Sequence, residues 1–248
     1  MEKAVELNYP AEDVAVVVMQ DRQHSNTFSP ELLEGLMTAF DAVAKNPRLK
    51  VVVVHGYDTI FCAGGTQEEL LAIADRKVQV AGTAFYRLLL DCELPVIAAM
   101  QGHAIGGGLV FGLFADIIIL AEEAIYAANF MKYGFTPGMG ATLILPEKVG
   151  LNLANEMMFN ARTYHGGELR ARGVPFQIVK RGEVIQTALR LAGEIADKPL
   201  PSLKLLKRHM TARLVAALPR IIQQELEMHA VTFTQPEVRR RIETQFGN

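Results

Sequence analysis

Two glycine turns are the features of this chain whose residue types and spacing bear on chemistry. The first turn is Phe61–Thr66, FCAGGT. The second is Gly106–Gly107–Gly108, inside Gln101–Leu120, QGHAIGGGLVFGLFADIIIL. Each follows a strand-like run. Glycine in such a place lets backbone N–H groups approach a ligand with no Cβ in the way. The first N–H groups of a helix have no internal partner and lie at the positive end of its dipole. They suit an anion, or an oxygen that becomes one during a reaction. On the glycines alone, close helix–sheet packing stands ahead of an anion site. The pattern is also no nucleotide fingerprint: GHAIGGG departs from G-x-G-x-x-G, and no Gly-Lys-Ser/Thr phosphate loop occurs.

The elements that must position these turns read as alternating strands and helices. Val5–Leu7 and Val14–Met19 read as strands, and Asp21–Ser29 as a polar loop. Ser29-Pro30 supplies an N-cap and an N1 proline for a helix to about Ala44. Lys50–His55, with its VVVV run, predicts a strand in a sheet covered on both faces. A helix starts at Gln67, Asp75–Val80 is a polar surface piece, and Thr83–Leu90 reads as a helix. Pro95–Met100 is a strand, Leu109–Ala115 a buried helix, and Ile117–Ile119 a strand. Tyr133–Gly140 is a glycine-rich loop. Helices follow over Ala141–Val149, Leu151–Asn160, Gly166–Arg172 and Glu183–Ala196, with Val174–Val179 extended. Beyond the Pro199–Pro201 break the chain reads as three helices, Ser202–Arg213, Pro219–Phe233 and Pro236–Phe246. The organisation is a layered α/β core over 1–198 and a helical region over 199–248. An amphipathic end of that kind suggests oligomerisation.

Composition narrows the classes. The 248 residues are 50% hydrophobic and 21% charged, an ordinary globular balance. A formal net charge of −2 argues against nucleic acid as a partner. Two cysteines, Cys62 and Cys92, lack CxxC spacing, so neither a disulfide framework nor a zinc site is expected, which fits a reducing cytosol. The N-terminal MEKAVELNYP lacks a signal-peptide core, and the apolar stretches fall short of a membrane span. A cytoplasmic location follows as the expectation.

Taken together, the two turns change the reading. An Ala63-Gly64 turn after a strand, a G-x-A-x-G-G-G turn about forty residues on, Ala115-Asp116, and a P-G-x-G-A-T loop at Pro137–Thr142 resemble the crotonase (enoyl-CoA hydratase/isomerase) family. The likeness runs from about Val14 to Val179. It implies an α/β fold, a crotonase-type spiral of ββα units with a C-terminal helical extension, assembled as a homotrimer or a dimer of trimers. It also implies a thioester carried on CoA or on the phosphopantetheine of an acyl carrier protein. The thioester oxygen would sit between the N–H groups of Gly65 and Gly107, with Ala63 and Gly64 shaping the first turn. Two such donors stabilise an enolate, and losing one typically costs about 10²–10³ in rate.

The departures matter as much. A hydratase of this family needs two glutamates to handle water, and the matching positions here are Val110 and Phe130. Without a carboxylate there is no general base at either place, and the two apolar side chains are expected to dry the pocket. A narrower resemblance fills the gap. GGTQEELL (Gly64–Leu71), DCELPVIAAMQGH (Asp91–His103), ANFMKYGFTPGMGAT (Ala128–Thr142), RGVPF (Arg172–Phe176) and QELEMH-xxTF (Gln224–Phe233) look like the decarboxylating crotonase-type enzymes of polyketide β-branching. That likeness implies conversion of a 3-methylglutaconyl-type thioester into a 3-methylcrotonyl-type one, through a dienolate and with no metal or organic cofactor.

Side-chain candidates follow. Ile222, Leu226, His229 and Phe233 share one helix face, so spacing alone makes His229 a packed core histidine. The resemblance instead gives it proton delivery or carboxylate binding, with a pKa near working pH. It also places a carboxylate-pairing lysine after GGTQ, which here is Lys77. Tyr126, Asn129 and Phe130 are expected to line the acyl pocket, with core packing the competing role for the two aromatics. His103 reads as structural, Cys62 as a small hydrophobe, and Arg239–Arg241 as a solvated helix face. Alternatives are a Δ3/Δ2 enoyl-thioester isomerase and a non-catalytic scaffold.

Overall fold

The computed structural model describes residues 3–75 and 84–246. The chain opens with a hairpin, β1 (Val5–Ala11) antiparallel to β2 (Val14–Met19). Helix α1 (Pro30–Lys45) then begins where the sequence predicts, with Ser29 Oγ accepting from Leu32 N at 3.1 Å. From there a ββα pattern recurs three times. The first unit is β3 (Val51–His55), β4 (Ile60–Cys62) and α2 (Gln67–Ala74). A 3-10 segment, Ala84–Arg87, runs into the short α3 (Leu88–Asp91). The second unit is β5 (Val96–Met100), β6 (His103–Ile105) and α4 (Gly107–Leu113). The third is β7 (Ile117–Ala121), β8 (Ile125–Ala127) and the 3-10 segment Asn129–Tyr133.

In every unit the first strand joins one sheet and the second strand another. The larger sheet has the order β1-β2-β3-β5-β7-β10, where β10 is Gln177–Val179, and is parallel from β2 onward. The smaller sheet has the order β4-β6-β8-β9, where β9 is Tyr164–His165, with β4, β6 and β8 parallel. The turns that follow β4, β6 and β8 therefore emerge side by side. This places the two glycine turns next to each other although about forty residues separate them.

The β-branched run of β3 is fully buried because helix α8 (Arg181–Ala196) lies across β3, β5 and β7 on one face. Helices α5 (Ala141–Val149), α6 (Leu151–Asn160) and α7 (Gly166–Ala171) precede α8. The C-terminal part differs from expectation in one respect. Ser202–Arg213 and Pro219–Phe233 belong to one helix, α9 (Leu200–Thr232), with Pro219 inside it. Proline removes the hydrogen bond to the carbonyl of residue 215. Val215 is exposed, so water can satisfy that carbonyl. A buried ion pair, Lys207 Nζ to Asp116 Oδ2 at 2.8 Å, ties α9 to the core, and the same ammonium donates to the carbonyls of Leu89 and Leu94. Helix α10 (Pro236–Gln245) folds back onto α2, where Gln67 Nε2 donates to Ile242 O at 2.9 Å. Among the described residues no helix is long and apolar enough to cross a membrane.

Candidate active site

A cavity of about 300 Å³ opens where the three ββα units deliver their turns. Ala63 and Gly65 come from the first unit, Gly106 and Gly107 from the second, and Asn129 and Phe130 from the third. The two glycine turns touch. A Cβ placed on Gly64 would lie 2.6 Å from Ile105 O, 3.2 Å from Gly107 N and 3.3 Å from Gly108 N. A Cβ on Gly108 would collide with the carbonyl of Cys62. Gly64 has a φ of +85°, a conformation that glycine adopts without strain. Absent Cβ atoms let the turns meet, and the meeting sets Gly65 and Gly107 on one cavity wall.

The loop Asp21–Ser29 braces the first turn. Phe28 N donates to Gly64 O at 2.8 Å, and the buried Asn26 amide donates to the carbonyls of Met19 and Phe61, both at 2.9 Å. Asp21 accepts from Ser29 Oγ at 2.6 Å and lies 2.9 Å from His24 Nδ1. Burial works to raise the Asp21 carboxyl, but these hydrogen bonds outweigh it and hold the group below the usual range. The Phe28 ring stacks in a tilted pair with Phe85, 4.6 Å between centroids, and both line the cavity. A wall of Tyr133, Phe135, Phe233 and Phe246 faces them, with Phe135 and Phe233 stacked at 4.5 Å.

His229 also lines the cavity and is 7% exposed. Its Nε2 lies 2.8 Å from the carbonyl of Thr136. A carbonyl only accepts, so Nε2 carries the proton and Nδ1 is left as a bare lone pair in the neutral ring. Nδ1 has no hydrogen-bond partner among the described residues. Burial holds the His229 pKa below 6.5, against the opposing pull of the Thr136 and Pro137 carbonyls. Burial thus favours the neutral imidazole over the imidazolium.

Of the sequence candidates, Ala63, Gly65, Gly107, Asn129, Phe130 and His229 meet at this cavity. Gly64 lies behind the wall as the contact between turns. Val110 and Tyr126 do not line it. Val110 is 1% exposed in the first turn of α4 and is core packing. Tyr126 has no exposure, and its hydroxyl donates to Met100 O and accepts from Ala121 N, both at 2.8 Å. It pins the small sheet to the large one, which is the packing role, not a pocket role. Lys77 lies outside the described residues. His103 Nδ1 accepts from Ile125 N at 2.9 Å, a structural bond. Cys62 is fully buried, its thiol is pushed up to about 12 by burial, and Sγ donates to Asn26 O. Arg239 and Arg241 pair with neighbouring carboxylates on the protein surface.

Sequence reasoning missed Thr27 and Phe28 within the polar loop, Tyr86, and Glu69. Glu69 carried a readable signal: Thr66-x-x-Glu69 is a capping box, with Glu69 N donating to Thr66 Oγ1 at 3.0 Å. Burial, which lining the cavity imposes, raises its carboxyl pKa.

The family model described as enoyl-CoA hydratase/isomerase matches residues 10–246. The chain is 54% identical over 232 residues to the bacillaene synthase decarboxylase PksI of Bacillus subtilis, covering 94% of this chain and 93% of that one. A solved member of a dehydratase/decarboxylase enzyme couple involved in polyketide β-branching superposes with a TM-score of 0.97 at 53% identity, over 99% of this chain and 100% of that one. The ECH2 decarboxylase domain of CurF from Lyngbya majuscula gives 0.95 at 44% identity, with the same coverage.

Proposed function

The chain belongs to the enoyl-CoA hydratase/isomerase family, and on that premise we propose how it acts: it is a decarboxylase of polyketide β-branching, taking a 3-methylglutaconyl-type thioester on an acyl carrier protein to a 3-methylcrotonyl-type thioester. The observation that carries this reading is the contact between the two glycine turns, which sets Gly65 and Gly107 on one wall of an apolar cavity with His229 also in its lining. The thioester oxygen lies between the Gly65 and Gly107 N–H groups. Gly107 is the first residue of α4, so its N–H has no carbonyl within the helix to bond.

The reaction breaks the bond between the γ-carbon and its carboxylate. The electron pair of that bond enters a dienolate whose charge extends to the thioester oxygen, where the two N–H donors stabilise it. The conjugated thioester is itself the electron sink and the two backbone donors stabilise the charge it takes up, so the step calls for no metal or organic cofactor. Aromatic walls favour losing a charged carboxylate as neutral CO2, since taking a charge out of water is costly even where it has a partner. Lys77 pairs with the carboxylate before it departs. One proton is consumed per turnover. The His229 imidazolium delivers it from Nδ1, the nitrogen not held by Thr136.

Phe130 stands in the wall where a hydratase of the family has glutamate, which removes the base that would activate water. Residues 199–248 cover the site, through His229, Phe233 and Phe246, and carry the contacts of a homotrimer or dimer of trimers. The enzyme works in the cytoplasm, beside the carrier protein. The test is to incubate it with 3-methylglutaconyl-carrier protein and follow the acyl mass. Loss of CO2 from the acyl chain is expected. An unchanged mass, with double-bond migration in a 3-enoyl thioester, makes it an isomerase instead.

A further inference from the structure

The loop Thr136–Gly140 touches both halves of the site. The Thr136 carbonyl takes the Nε2 proton of His229. Gly138 lies against the ring, where a Cβ would come within 2.5 Å of Cε1. Met139 lines the cavity, and its Sδ would be 2.9 Å from a Cβ on Gly107. The backbone here is not relaxed: Met139 has a φ of +61°, a left-handed conformation that L side chains resist. Something outside the loop must hold it, and α5, which begins at its end, has no side-chain N-cap of its own.

Glu225 is 1% exposed on α9 and supplies that hold from 83 to 85 residues away. Its Oε2 accepts from Gly140 N at 2.7 Å. Its Oε1 accepts from Thr142 N at 2.9 Å and from Thr142 Oγ1 at 2.6 Å. One turn further along the same helix face stands His229, and then Thr232, whose hydroxyl lies 3.2 Å from that of Thr136. The titratable groups on this face of α9 are Glu225 and His229. The loop and α5 present backbone groups, threonine hydroxyls and the Met139 side chain to them, none of which titrates, and Tyr86 closes the side between the two.

We propose that Glu225 is a positioning residue for His229 and for the oxyanion turn, acting through the Thr136–Gly140 loop that it fixes. Its carboxylate clamps the loop's end, the clamped loop presents the Thr136 carbonyl, and that carbonyl decides which imidazole nitrogen carries the proton. A partner that only orients a histidine can matter as much as one that reacts. The inference rests on the proposed role of His229 in delivering the proton.

The test compares wild type with Glu225→Gln. Glutamine keeps the size but has one acceptor oxygen, and its NH2 faces an N–H donor, so the clamp opens on one side. The expected result is a kcat lower by about 10- to 100-fold, part of the roughly 10²–10⁴ that a placed general acid contributes, with KM nearly unchanged. Nitrogen-15 spectra of His229 should change from a single Nε2–H form to a mixture, and the pH profile of kcat should shift. Thr142→Val removes one donor while leaving the carboxylate, and should move the same readouts less far if Glu225→Gln does not fold. A lower melting temperature with wild-type kcat, pH profile and tautomer would make Glu225 an anchor of the fold only and overturn the proposal. Wild type failing to release CO2 would instead break the functional reading, and the tautomer spectra would still report on the clamp.

Discussion

Gly64→Ala is the sharpest probe of the paired turns, because Gly64 joins them without lining the cavity. The new methyl would sit 2.6 Å from Ile105 O and 3.2 Å from Gly107 N, both backbone atoms that cannot rotate away. At a φ of +85° an L side chain adds its own backbone cost, about 1–2 kcal/mol. Overpacking a tight contact adds typically about 1–3 kcal/mol. The expected loss of stability is therefore roughly 2–5 kcal/mol, or roughly 5–20 °C in melting temperature for a chain of this size. Relief requires the turns to part, which moves the Gly107 N–H away from the Gly65 N–H. If these are the two donors to the thioester oxygen, kcat should fall by up to about 10²–10³, the usual effect of losing one donor. The assay pairs thermal melting with CO2 release from the acyl-carrier substrate, measured well below the melting point. A folded variant that keeps kcat within about threefold of wild type would refute the paired-donor argument, since that argument expects far more.

Other outcomes follow from the same site. His229→Asn should lower kcat by about 10²–10⁴, as for loss of a general acid, while the fold is retained on melting. In wild type, kcat should rise as pH falls through 6.5, because the imidazolium is the active form and burial holds its pKa below that value. Stability should move the opposite way. A histidine kept neutral by the fold contributes stability that is full above pH 6.5 and is lost as pH drops towards its lowered folded pKa. The slope from His229 is at most about 1.4 kcal/mol per pH unit, and His229→Asn should flatten the melting curve over that window. Cys62, fully buried with its thiol pushed up to about 12, should resist iodoacetamide in the folded protein and react only on denaturation.

The sequence by itself determined the chemistry-bearing pieces. The glycines at both turns, the Ser29-Pro30 helix start and the VVVV run of β3 were all legible, because each is a local demand on residue type. The family resemblance then supplied what spacing could not, namely that Val110 and Phe130 stand where a hydratase has glutamates, and the expectation that the two turns act on one oxygen. Three things were decided only in three dimensions. The strands β4, β6 and β8 are three residues each, too short to announce themselves by periodicity, yet they bring the turns together. Tyr126 and Val110 are apolar or amphipathic at positions the motif favours, and packing alone chose the inter-sheet layer and the helix core for them over the cavity. His229 Nε2 meets a carbonyl 93 residues away in sequence, and Glu225, one turn back on the same helix, bonds the end of the loop that carries that carbonyl. Local pattern fixes which backbone can form a turn. Which side chain faces the void follows from how distant elements close around it, and that choice is made by burial and hydrogen bonding across the whole chain.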